Sequence, residues 1–114
     1  MAEGAGLRVL RVTGVEVESD LAFAGLATLV SQAPQVLADL DDEAREMLRG
    51  ALGRGDRTPK GLEVHLAALA FVTALGTAPS LVLLDDAQWI DPASLAVLAF
   101  AARRLDHDAV AVVI

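Results

Sequence analysis

Two hydrophobic periods alternate along the chain. Leu7 to Val12 (LRVLRV) is strand-like, with Val9 and Val12 β-branched and the pair Thr13-Gly14 behind it. Val15-Glu16-Val17-Glu18 continues the alternation of apolar and acidic positions. Ser19 or Asp20 then caps a helix from about Leu21 to Gln32, in which Ala22, Phe23, Leu26, Leu29 and Val30 are spaced for one apolar face. Pro34 starts a short further turn of helix. Asp41 caps a third helix, Asp42 to Leu52, where Asp42, Glu43 and Glu46 favour the N-terminal half and Gly53 supplies a left-handed stop.

Gly53 to Gly61 (GRGDRTPKG) reads as a loop, and a long helix follows from Leu62 to Leu75, ended by Gly76. Leu81 to Leu84 is a short continuous apolar run of the kind found in strands covered on both faces. Pro92 sits at the first helical position behind Asp91, so the next helix spans about Pro92 to Leu105, with Arg103 and Arg104 near its negative end. Ala109 to Ile114 (AVAVVI) is a further apolar strand. Strands separated by helices predict an α/β layered fold built on a parallel sheet.

One stretch raises a membrane alternative. Leu66 to Leu84 contains no charged residue and approaches the roughly 20 apolar residues of a spanning helix. Gly76-Thr77-Ala78-Pro79-Ser80 interrupts it, and no Lys or Arg lies between Gly61 and Ala102 to anchor a span. A buried helix, a turn and a buried strand account for it.

With 114 residues the chain makes one domain, and 54% apolar residues supply a core. The formal net charge of -7 leaves no electrostatic footprint for DNA or RNA. The absence of cysteine excludes disulfides, thiolate metal sites and Cys nucleophiles. The N-terminus, MAEGAGLRVLRV, lacks the basic-then-apolar order of a secretory signal, which makes the cytoplasm the default expectation.

Chemistry concentrates in LVLLDDAQWIDP, residues 81 to 92, where the apolar run ends in Asp85 and Asp86. Ligands of parallel α/β sheets gather at the carboxyl ends of the strands. A carboxylate there can hold Mg²⁺ directly or through water, and a second can orient an attacking water beside a phosphate. The stretch therefore looks like a Walker B element. Two acids after a strand also suit a solvated turn or a capping cluster. Asp91 reads as the N-cap of the helix that Pro92 opens, and Trp89 as a packing residue whose indole N–H finds an acceptor.

The segment LVLLDDAQWIDPASLAVLAFAARRL, with the earlier VLRVTGVEVESDLAFAGLATLV, resembles the nucleotide-binding domain of large LuxR-type transcriptional regulators and related STAND-class ATPases of the AAA-like superfamily. The resemblance runs from about Arg8 to the end. Its Walker B form, four hydrophobic residues then DDxxWhD and a Ser three positions later, is matched by Leu81 to Asp91 and Ser94; the FAGL stretch, Phe23 to Leu26, supports it. It implies a partial P-loop NTPase-like three-layer sandwich, a short parallel sheet flanked by helices, across residues 1–114. It also implies that Asp85 assists Mg²⁺ coordination and that Asp86 polarises the hydrolytic water in an intact, ATP-binding parent.

The departures are as informative. A P-loop needs G-x-x-x-x-G-K-[ST] to cradle phosphates, and the single lysine, Lys60, stands between Pro59 and Gly61. On the family's pattern the P-loop strand would precede this sequence and pair with the Ala109 to Ile114 edge, and the polar sensor residue would follow Ile114. The open, uncharged edge is then a route to self-association. The expectation is a Walker B portion of a regulatory ATPase module that, as it stands, neither binds Mg-ATP tightly nor hydrolyses it. Alternatives are a non-catalytic α/β interaction module, or the same ATPase module from a cyclase or kinase.

The remaining features receive plainer readings. Arg54-Gly55-Asp56 is a polar turn, and Gly53-x-Gly55 follows a helix, unlike a dinucleotide fingerprint. His65 and His107 lack further ligands at metal-binding spacing. Arg103 and Arg104 are explained by their place at a helix C-terminus, although such residues could serve a neighbouring subunit's phosphate.

Overall fold

Parallel pairing brings three short apolar segments together, in the order β1-β2-β3. The computed structural model describes residues 7–53, 61–105 and 108–114. Strand β1 (Arg8–Thr13) pairs with β2 (Ser80–Asp85) in a register that sets Arg8 beside Ser80 and Thr13 beside Asp85. Strand β3 (Val110–Val113) flanks the other side of β2, with Ser80 beside Val110 and Leu83 beside Val113. The strand that ends at Asp85 is therefore central. The protein is α/β, with a small parallel sheet and five α-helices among the described residues.

Helices α1 (Ala24–Ser31), α2 (Pro34–Asp39), α3 (Asp42–Ala51) and α4 (Gly61–Leu75) lie between β1 and β2, and α5 (Pro92–Arg104) between β2 and β3. Local chemistry explains several ends. Pro34 and Pro92 stand at helix starts, where the missing N–H costs nothing. The Asp41 side chain accepts the Ala44 N–H at 2.8 Å and caps α3, and Gly53 adopts φ 75° behind it. At the end of α4 the Leu75 carbonyl accepts from Arg8 Nη2 at 2.7 Å and Ser80 Oγ at 3.0 Å. A strand residue thus places positive charge on a helix C-terminus.

The core is one cluster. Leu10 and Val12 of β1, Val82 and Leu84 of β2 and Val110 of β3 meet Leu26 and Leu29 of α1, Leu48 of α3, Phe71 and Leu75 of α4 and Val97 and Leu98 of α5. Burial alternates along β1 and β2, so the described residues cover one face of the sheet. Val9 and Val113 of the other face are exposed and Leu81 and Leu83 half-buried.

The apolar run at Leu81 to Leu84 suggested a strand covered on both faces, and among the described residues one face is covered. The described residues form two layers. The strand order advances in one direction, and right-handed crossovers that advance together put their helices on the same face. The free edge of β1 is occupied by a side chain: Gln32 Nε2 donates to the Arg11 carbonyl at 2.8 Å, and Gln32 Oε1 accepts the Arg11 N–H at 3.1 Å.

The first helix also differs from expectation. Residues Glu16–Glu18 form a 3₁₀ turn instead of extending the strand, and α1 begins at Ala24. Phe23 precedes it in the left-handed region at φ 68°. Neither Ser19 nor Asp20 caps it. No helix among the described residues is long and apolar enough to cross a membrane, since α4 ends at Leu75 and β2 follows the turn. Most of the predicted Gly53 to Gly61 loop, with Arg54-Gly55-Asp56 and Lys60, lies outside the described residues, as does His107.

Candidate functional site at the tip of the central strand

The carboxyl end of β2 carries the acids that the sequence singles out. Asp85 is the last residue of the strand, and its carboxylate accepts from Arg11 Nη1 at 3.3 Å. Both partners are about half exposed, at 59% and 50%, so the pair is a surface ion pair worth at most about 1 kcal/mol. It leaves Asp85 accessible. Arg11 as its neighbour was not legible, because register between strands 74 positions apart is absent from local patterning.

Asp86 follows at φ 50° and ψ 50°, one of two non-glycine residues in the left-handed region among those described. An L-residue there costs about 1 kcal/mol, and Asp is among the few types that tolerate it. The kink turns the chain out of the strand into a 3₁₀ turn, Ala87–Trp89, closed by Trp89 N–H to the Asp86 carbonyl at 2.9 Å. The Asp86 side chain remains exposed.

Gly14 holds this turn in place. Its N–H donates to the Asp85 carbonyl at 2.8 Å, which extends the ladder by one bond past β1. A Cβ at this position would stand 2.2 Å from the Asp86 carbonyl oxygen and 2.8 Å from the Ile90 nitrogen. Only glycine lets the two chain segments approach so closely.

Asp91 belongs to the architecture. Its side chain, 2% exposed, accepts three backbone N–H groups: Phe23 at 2.7 Å, Gly25 at 2.8 Å and Ser94 at 2.9 Å. Ser94 Oγ accepts the Leu26 N–H at 2.8 Å. One carboxylate and one hydroxyl therefore satisfy the first turns of both α1 and α5, where positive helix ends favour a buried anion. The N-cap reading of Asp91 is the observed one, and Phe23 to Leu26 is the segment that Asp91 and Ser94 bind.

Trp89 differs from its reading as a packed residue. It is 38% exposed, and its indole N–H meets no acceptor among the described residues. It borders a crevice with Val15, Glu18 and Ile90 whose volume, about 10 Å³, holds little more than one water. His65 Nδ1–H donates to the Gly61 carbonyl, 2.8 Å away, and the ring packs edge-on against Phe100 at 5.0 Å. Arg104 lies over the Phe100 ring at 3.6 Å and donates to its carbonyl. Both side chains are engaged locally.

Asp85 and Asp86 offer oxygen donors only, the type that Mg²⁺ takes, and both are exposed. No group of three or more His, Cys, Asp or Glu able to hold a metal occurs among the described residues. The pair fits a site in which phosphate and water complete the shell, and does not fit an all-protein cage. Comparison with models of known protein families, with curated proteins and with solved structures finds no match to this chain.

Proposed function

We propose that this chain is the Walker B portion of an ATP-binding regulatory module of the kind found in large LuxR-type regulators and STAND-class ATPases. The observation that carries the reading is the position of Asp85 at the tip of the central strand of a parallel sheet, with Asp86 exposed on the kink that follows. Strand-end carboxylates at that place are where α/β folds bind phosphate-bearing ligands. In this reading Asp85 would help to hold Mg²⁺, and Asp86 would accept a hydrogen bond from the attacking water and so orient and polarise it. The chemistry that Mg²⁺ supplies when bound is neutralisation of charge on phosphate oxygens. Arg11 must release Asp85 for this, and a half-exposed ion pair opposes the release by little.

The uncovered sheet face, with Val9, Leu81, Leu83 and Val113, supports a parent domain that supplies further strands and a further layer. Phosphates would be held by a glycine-rich loop of that parent, since Lys60 has no such surroundings in sequence. The 114-residue chain alone is therefore expected to show no micromolar affinity in calorimetric titration with Mg-ATP. A longer polypeptide that includes a preceding G-x-x-x-x-G-K-[ST] segment should turn over ATP, and Asp86→Asn in it should lower kcat about 100-fold or more with little change in KM. Unchanged turnover would remove Asp86 from the chemistry. A second reading, an α/β interaction module without catalysis, is favoured by a cleft formed by α3 and α4 that shares no residue with the twin acids.

A further inference from the structure

The cleft between α3 and α4 has a volume of about 350 Å³ and two chemically distinct parts. Met47, Leu66, Ala67 and Ala70 give it an apolar floor, and Asp41, Glu43 and Glu63 stand around it. No basic side chain lines it among the described residues. Leu66 is 51% exposed, and Leu62, one turn earlier on α4, is 64% exposed. Residues four apart share a helix face, so these leucines form an apolar strip where a solvated helix carries polar groups. The nearest base on α3, Arg45, is turned elsewhere: its guanidinium bonds the Ala38 and Leu40 carbonyls and the Asp42 carboxylate.

These features select an occupant. The exposed leucines call for apolar anchors, and the exposed carboxylates of Asp41 and Glu43 attract positive charge beside them. A groove between two helices is a common seat for an amphipathic helix whose side chains enter at i, i+3 and i+4 spacing. We propose that the α3/α4 cleft docks a cationic amphipathic helix of another polypeptide, its aliphatic residues on Met47 and Leu66 and its Lys or Arg side chains facing Asp41 and Glu43. A second copy of this chain is a poorer occupant, because its net charge is -7 and like charges would meet. An anionic membrane surface is repelled by the same acids.

The test uses the whole 114-residue chain and a fluorescent Leu/Lys peptide of about 14 residues with leucines at helical spacing. Controls are a scrambled peptide of the same composition and a Leu/Glu version, all read by fluorescence anisotropy. The patterned cationic peptide should bind about tenfold more tightly than either control. Leu66→Asp and Glu43→Lys, both at exposed positions, should each weaken it about tenfold, with circular dichroism confirming the fold. Val17→Asp, at a position 85% exposed and outside the cleft, should leave binding unchanged. Equal binding of the scrambled peptide, or insensitivity to both cleft variants, overturns the proposal. So does a dimer in sedimentation that Leu66→Asp converts to monomer, which would make the occupant a second copy.

Discussion

The Asp91 carboxylate accepts the Gly25 N–H at 2.8 Å across 66 residues of sequence, and so joins the start of α5 to the start of α1. Gly25 is tied to the same place by space. A Cβ on it would come within 3.1 Å of Ile90 Cγ2 and Ser94 Cβ. The conspicuous spacing of Asp91 and Ser94 behind the twin acids thus has an architectural cause: it holds the helix layer against the strand tip.

Asp91→Ala should be among the most destabilising single changes. It leaves three N–H groups without their acceptor in a buried place, a loss of at least about 3 kcal/mol against a total of roughly 5–15. Urea denaturation measures it. Asp91→Asn should retain part of the stability, because one carbonyl oxygen remains; equal losses in the two variants would show that the charge matters more than the acceptors.

Gly14→Ala tests the interlock at the strand tip. With the new Cβ 2.2 Å from the Asp86 carbonyl oxygen, the turn must move, at about 1–3 kcal/mol. Amide chemical shifts should change most over residues 85–90. A variant as stable as the parent, with unchanged shifts there, would show that the two segments are not in the close contact described.

Asp86→Gly separates stability from function. Glycine relieves the left-handed backbone but gains freedom in the unfolded chain, so stability should change by no more than about 1 kcal/mol in either direction. In a longer, ATP-hydrolysing polypeptide the same change should abolish turnover. A loss well beyond that range would mean that the Asp86 side chain holds the turn.

Two arginines on one strand should behave differently. Arg8 bonds the Leu75 carbonyl and Ser80 Oγ at the end of α4, and Arg8→Ala should cost about 1–2 kcal/mol. Arg11→Ala loses an exposed pair with Asp85 and should cost less than about 1 kcal/mol. Thermal denaturation of both variants ranks them, and the reverse ranking would contradict the described burial of these contacts.

Much of the fold was legible because its signals are local. Asp41 and Asp91 cap from within their own helices, Pro34 and Pro92 mark starts, and the apolar runs at Leu81 and Val110 lie in strands. The start of α1 was not, since its first N–H groups are satisfied by Asp91 and Ser94, far along the chain, and no nearby residue marks it. The open face of the sheet was not legible for a related reason. A continuous apolar run shows that both sides of a strand avoid water, but the face taken by the helices depends on how the crossovers turn. For the candidate site, the positions of Asp85 and Asp86 followed from pattern; the left-handed kink and the Arg11 partner needed coordinates.

The bidentate grip of Gln32 on Arg11 guards one edge of the sheet. A strand arriving alongside β1 must first displace two hydrogen bonds at 2.8 and 3.1 Å. The amide of one glutamine thus acts as a stop at that margin of the sheet.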